Sequence, residues 1–134
     1  MRLTMDIDDK RIADLLCAGF EGGIGYWAQI VSYVKPAVVW PWDLSAAYVQ
    51  YPLSEGGAVL LREVVEGPES AIETMAKAVG KEPLWRLDRE ALQRGLDLFH
   101  RYPKHLSDFL TENEDSDTGD VFIQLCLLGD IVYG

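Results

Sequence analysis

The chain has 134 residues, of which 49% are apolar and 25% charged, with a formal net charge of −10. That length suits one domain, and the composition excludes wholesale disorder, because enough apolar surface is available to offset the entropy of ordering. The negative balance argues against direct nucleic-acid binding, which needs clustered Lys and Arg to neutralise phosphate.

Asp8 or Asp9 is placed to cap a first helix, whose apolar residues Ile12, Leu15, Leu16 and Phe20 keep helical spacing until Gly22-Gly23 stops it. From Tyr26 to Val34 the β-branched and aromatic content predicts a strand buried on both faces and ended by Pro36. Trp40-Pro41-Trp42 and Tyr51-Pro52 predict an irregular connection, since proline lacks the donor that a ladder needs. Ser54-Glu55-Gly56-Gly57 supplies a turn into a second strand, Ala58 to Glu66, closed by Gly67-Pro68.

Residues Ser70 to Val79 have the spacing of a short peripheral helix, and 66–82 reads as an insertion of variable content. Leu84 to Leu87 predicts a brief strand, and Asp88 caps a helix with Leu92, Gly95, Leu96 and Phe99 on one side. Pro103 opens another helix that packs Leu106, Phe109 and Leu110. A last helix begins near Asp117 or Thr118 and is apolar on almost every side. It is expected in the core or against another subunit, which together with four tryptophans leaves room for a homodimer. The whole is expected to be a single α+β domain over 1–134, a small antiparallel sheet with about four to five helices.

No stretch is long and apolar enough for a membrane span, and the acidic N-terminus lacks the apolar run of a secretory signal, so a cytoplasmic protein is expected. Cys17 and Cys126 lie in apolar runs and read as buried thiols. The spacing of His100 and His105 does not place both on one helical face, and no Cys-x-x-Cys pair occurs, so no metal or cofactor is expected.

Two polar segments are candidates for function. In Phe20 to Trp27, three glycines allow close approach, and Glu21, Gly22 and Gly23 lie beside Tyr26 and Trp27. The loop is either a helix stop or a place where the two aromatics stack on a planar group or anchor a protein partner. It follows a helix and precedes a strand, the reverse of a dinucleotide loop, and lacks the Gly-Lys-Ser/Thr ending of a phosphate loop.

The second segment is the acidic turn with Glu112, Glu114, Asp115, Asp117 and Asp120. It fails as a calcium loop: starting at Asn113 puts Thr118 at the glycine position, and starting at Glu114 puts Leu125 at the glutamate position. It reads as a helix start favourable to the helix dipole, as a protein-binding face or, less well, as an ion site. From His105 onward there are seven acids and no Lys or Arg, whereas Leu84 to Lys104 carries five basic residues against three acids. Gln124, inside the apolar helix, must find partners, and a satisfied core amide fits better than a ligand contact. No nucleophile–histidine–acid order can be drawn, so an enzyme is not expected.

The runs Asp14 to Gly23 with Tyr26-Trp27, then Tyr51-Pro52, then Asp117 to Gln124 with Gly129 and Tyr133-Gly134 resemble a family of small accessory proteins of tailed bacteriophages and prophages. The resemblance covers both ends well and the middle poorly, and the family has no assigned activity to transfer. What it implies is a setting, an infected bacterial cytoplasm, in which small non-structural phage proteins commonly disable host defences or redirect host machinery. With the charge map, the expected function is an anti-defence inhibitor of the anti-CRISPR kind, binding a host nucleic-acid-handling complex through the acidic segment. The alternatives are a binder that sequesters a nucleotide signal, with Tyr26 and Trp27 on the base and an arginine between Arg86 and Arg101 on phosphate, or a phage assembly accessory protein.

Overall fold

A computed structural model describes residues 9–39, 46–64 and 84–134. Its elements run α1 (Asp9–Phe20), β1 (Ala28–Val34), α2 (Ala47–Leu53), β2 (Ala58–Glu63), β3 (Trp85–Leu87), α3 (Arg89–Leu98), a 3-10 turn (Phe99–Arg101), α4 (Pro103–Leu110) and α5 (Ser116–Leu128). The class is α+β, as the sequence predicts. The expected helix over 70–79, the insertion, the Trp40-Pro41-Trp42 run and the far end of the second strand lie outside the described residues.

The three strands form an antiparallel sheet in the order β1-β2-β3, with Val34 opposite Ala58, Gln29 opposite Arg62 and Leu60 opposite Arg86. The register shifts between Ile30 and Ser32, so Val31 is bulged. Burial on both faces belongs to β2, where Ala58, Val59, Leu61 and Arg62 are all buried. It does not belong to β1, whose Gln29, Ser32 and Tyr33 are exposed. A run of β-formers cannot tell an end strand from a central one, because the propensity reflects fit to a pleated surface rather than position in the sheet.

Tyr51 and Pro52 also depart from expectation. They close α2 rather than forming an irregular stretch, with Val49, Pro52 and Leu53 buried. Proline here forfeits a bond to the carbonyl four residues back, and the helix ends one residue later.

The caps follow the sequence closely. The Asp88 carboxylate accepts from the Ala91 amide at 2.9 Å, and Pro103 is the first residue of α4. The last helix starts slightly earlier than its apolar pattern suggests, because Asp115 is the cap and accepts from the Thr118 amide at 2.9 Å. In α4, Phe109 is buried but Leu110 is exposed; one residue is a rotation of about 100°, which turns Leu110 off the packed side.

α5 is the central core helix, buried from Thr118 through Cys126. Phe122 meets Phe99 with ring centroids 5.5 Å apart, and Phe99 meets Phe109 at 5.9 Å. The apolar surface of α5 is therefore covered by its own chain and gives no argument for a second copy. Cys126 is a buried free thiol and Cys17 a half-buried one, and burial pushes both thiols up. Among the described residues, no helix is long and apolar enough to cross a membrane.

α1 and α5 touch backbone to backbone. A Cβ on Gly119 would lie 2.2 Å from the Gly19 nitrogen, and one on Gly19 would lie 2.9 Å from the Gly119 carbonyl oxygen. Only paired glycines permit this crossing. It brings the loop after α1 against the start of α5.

Candidate functional site

Asp120, one turn into α5, is 8% exposed. Its Oδ1 accepts from the Trp27 indole nitrogen at 2.7 Å and from Gln124 Nε2 at 3.0 Å, and its Oδ2 accepts from the Tyr26 hydroxyl at 2.6 Å. Asp120 and Gln124 share a helix face because they are four residues apart. Three neutral donors thus satisfy a buried carboxylate.

Gln124 is fully used. Beyond Asp120, its Nε2 donates to the Tyr133 carbonyl at 2.9 Å, and its Oε1 accepts from the amides of Val132 and Tyr133 at 2.8 and 2.9 Å. Both amide protons and both lone pairs are occupied. The core-amide reading holds, with a role that the sequence did not disclose: Gln124 clamps the C-terminal segment. Tyr133 then stacks on Trp27, centroids 4.9 Å apart and planes 11° apart, and donates its hydroxyl to Glu63 at 2.9 Å.

This corrects the stacking role given to Trp27. It is 1% exposed, covered by Tyr133 and edge-on to Trp85 at 5.4 Å, and so presents no free face to a base. Tyr26 differs: 53% exposed, it carries its ring outward while its hydroxyl is tied to Asp120. Burial of that hydroxyl end, reinforced by the bond to Asp120, pushes its pKa up to about 12. Glu21 is exposed and accepts from the Tyr48 hydroxyl at 2.8 Å.

The acidic turn divides into structural and exposed members. Glu114 is gripped by Arg11, whose two terminal nitrogens lie 2.7 and 2.8 Å from its oxygens. Arg11 also donates to the Phe109 carbonyl at 2.7 Å and lies over the Phe109 ring. The guanidinium holds the Glu114 carboxyl below the usual carboxylate range. Asp115 is held low by the Thr118 amide that it caps. Glu112 adopts a left-handed backbone, φ 60°, where the chain leaves α4. Its side chain and that of Asp117 are exposed. Of the five acids expected on one binding face, Asp120 is therefore internal and Glu114 nearly so, because each meets donors remote in sequence.

The two candidate segments are one place. A Cβ on Gly22 would lie 3.7 Å from Ser116 Cβ, one on Gly23 would lie 2.6 Å from the Ser116 carbonyl oxygen, and the charge of Asp117 acts on Tyr26. Glu21, Gly22, Tyr26, Asp115 and Asp117 thus share a corner where α1 ends and α5 begins. The sequence gives no sign of Arg11 as a site residue, and marks Tyr133 only through the resemblance; their partners Glu114 and Glu63 lie 103 and 70 positions away.

Three of the five basic residues ahead of this segment have internal acceptors. Arg86 pairs with Asp88 at 2.9 Å, Arg94 donates to the Cys126 carbonyl at 3.0 and 2.6 Å, and Arg89 donates to the Leu53 carbonyl. Among the described residues, no group of three or more His, Cys, Asp and Glu side chains is arranged to hold a metal ion. Comparison of the chain with models of protein families, with curated proteins and with solved structures finds no match.

Proposed function

We propose that the chain is a phage-encoded binding protein, not an enzyme, that inhibits a host nucleic-acid-handling immune complex through the corner built on Tyr26. The observation that supports this reading is the state of Tyr26, half exposed yet fixed by a 2.6 Å bond to a buried carboxylate. An aromatic anchored in this way loses little freedom on binding, which is what an interface anchor requires. Around it lie Glu21, Asp115 and Asp117, with Glu112 at the start of the same turn, and these acids suit a basic groove that otherwise takes DNA or RNA.

Glu114 and Asp115 hold the fold through Arg11 and Thr118, so neutralising them would confuse stability with binding. The triple variant Glu21→Gln, Glu112→Gln, Asp117→Asn leaves those contacts intact and should change stability by no more than about 0.5 kcal/mol. Wild-type protein is expected to raise phage plating on a host with nuclease-based immunity, and the triple variant to lose at least about tenfold of that gain, as removal of several complementary charges implies. Full inhibition by a normally folded triple variant would defeat the acidic-surface reading. The nucleotide-sponge alternative loses its second stacking residue with Trp27 covered, and rests on Tyr26 alone.

A further inference from the structure

Among the described residues of the sheet, Arg62 is the one with buried side-chain polar atoms that lack a partner. It is 9% exposed, and its Nε and Nη1 are buried without a hydrogen-bond partner among the described residues. Among the described residues only Nη2 has an acceptor, Gln29 Oε1 at the long distance of 3.5 Å. A guanidinium does not shed its proton at any ordinary pH, so burial cannot be relieved by neutralisation as it can for Lys or His. A buried cation of this kind calls for an anion.

Strand alternation places Arg62 with Ala58 and Leu60 on the sheet face opposite the core residues Val59 and Leu61. Gln29 stands opposite Arg62, Ser32 and Arg86 stand opposite Leu60, and these share that face. Arg86 is therefore a diagonal neighbour of Arg62, about 7–8 Å away by sheet geometry. It is half exposed and uses its Nε on Asp88. In a chain of net charge −10, this face carries two guanidinium groups from adjacent strands, one of them without an acceptor on two nitrogens among the described residues.

We infer that the face of the sheet bearing Arg62 and Arg86 binds a phosphate-type oxyanion, with Arg62 as the anchor and Arg86 as the second arm. A carboxylate matches one guanidinium fork. A tetrahedral oxyanion presents oxygens in several directions and can be met from two strands. Gln29 and Ser32 supply further polar groups at the rim. This site does not involve the Tyr26 corner, so neither proposal depends on the other.

The test is the thermal midpoint of the full chain, with inorganic phosphate and AMP titrated separately at constant ionic strength, for wild type, Arg62→Met, Arg62→Lys and Arg86→Gln. General salting effects are common to all four proteins, so the difference between them is the readout. Wild type should gain about 3 °C or more at saturation beyond the common salting effect. Arg86→Gln, a change at an exposed position, should lose more than half of that gain, and Arg62→Lys nearly all, because an ammonium cannot form the fork. Arg62→Met should show no response and, without ligand, a midpoint no lower than wild type. A larger gain with AMP would place the oxyanion on a nucleotide, and equal gains would make it free phosphate. Equal responses in all four proteins would overturn the site. So would an Arg62→Met protein that is destabilised or unfolded without ligand, since the guanidinium would then already be paired within the chain.

Discussion

Replacing Asp120 by alanine is expected to lower the unfolding free energy by about 4 kcal/mol in urea titration, close to the whole stability of a marginal domain. The residue is small and lies near the end of a helix, so lost packing would not predict so much. The loss comes from the donors left behind. The Trp27 indole N–H and one of the two Gln124 amide protons are buried and would lack an acceptor, the other proton keeping the Tyr133 carbonyl, while the Tyr26 hydroxyl can turn to water. Asp120→Asn is the control. Its carbonyl oxygen can still accept from Trp27 and Gln124, and its amide can donate to the Tyr26 oxygen, so it should cost about 1–2 kcal/mol, the difference reflecting the weaker neutral bonds. If alanine and asparagine cost the same, the carboxylate is not the hub of the network.

The second large effect runs against helix propensity. Gly119→Ala in the interior of an α-helix would ordinarily stabilise by about 1 kcal/mol. Here the new methyl would sit 2.2 Å from the Gly19 nitrogen and 2.6 Å from its Cα, and backbone cannot rotate aside as a side chain can. The two helices would have to separate, and α1 against α5 is a principal contact of the core, so a net loss of about 2–3 kcal/mol is expected from calorimetry. Gly22→Ala, whose Cβ would meet only Ser116 Cβ at 3.7 Å, should stay within about 0.5 kcal/mol of wild type. A neutral or stabilising Gly119→Ala would mean that the helices do not cross in contact.

The contacts behind these two predictions join the two ends of the chain. Gly19 and Gly119 mate the helices, and Tyr26, Trp27, Asp120, Gln124 and Tyr133 form one hydrogen-bonded and stacked unit. Much of these two end segments therefore serves the fold. The part left for a partner is what the network holds outward, Tyr26 and the exposed acids beside it.

Local signals were legible in the sequence wherever a single element decides the outcome. The spacing of Ile12, Leu15 and Leu16 gave α1, Asp88 gave the cap of α3, and Pro103 gave the start of α4, because helix periodicity and capping act within a few residues. The site was legible as two segments but not as one. Tyr26 and Asp120 are 94 positions apart, and Arg11 and Glu114 are 103. No periodicity reports such a pairing, so an acid on an aromatic-lined core and an acid on the surface look alike in the sequence. Trp27 shows the same limit: an indole next to a glycine loop reads as an exposed platform until Tyr133 covers it.

The claim that the two ends close around Asp120 is tested most directly by hydrogen exchange of the Trp27 indole proton, assigned by its loss in Trp27→Phe. A proton buried at 1% exposure and donated to a carboxylate should be shifted downfield and exchange as slowly as the core amides of Phe122 and Ile123, opening only with global unfolding. Exchange at the rate of a solvent-exposed indole, in a protein whose Phe122 and Ile123 amides remain protected, would contradict the clamp and the rigid corner built on it.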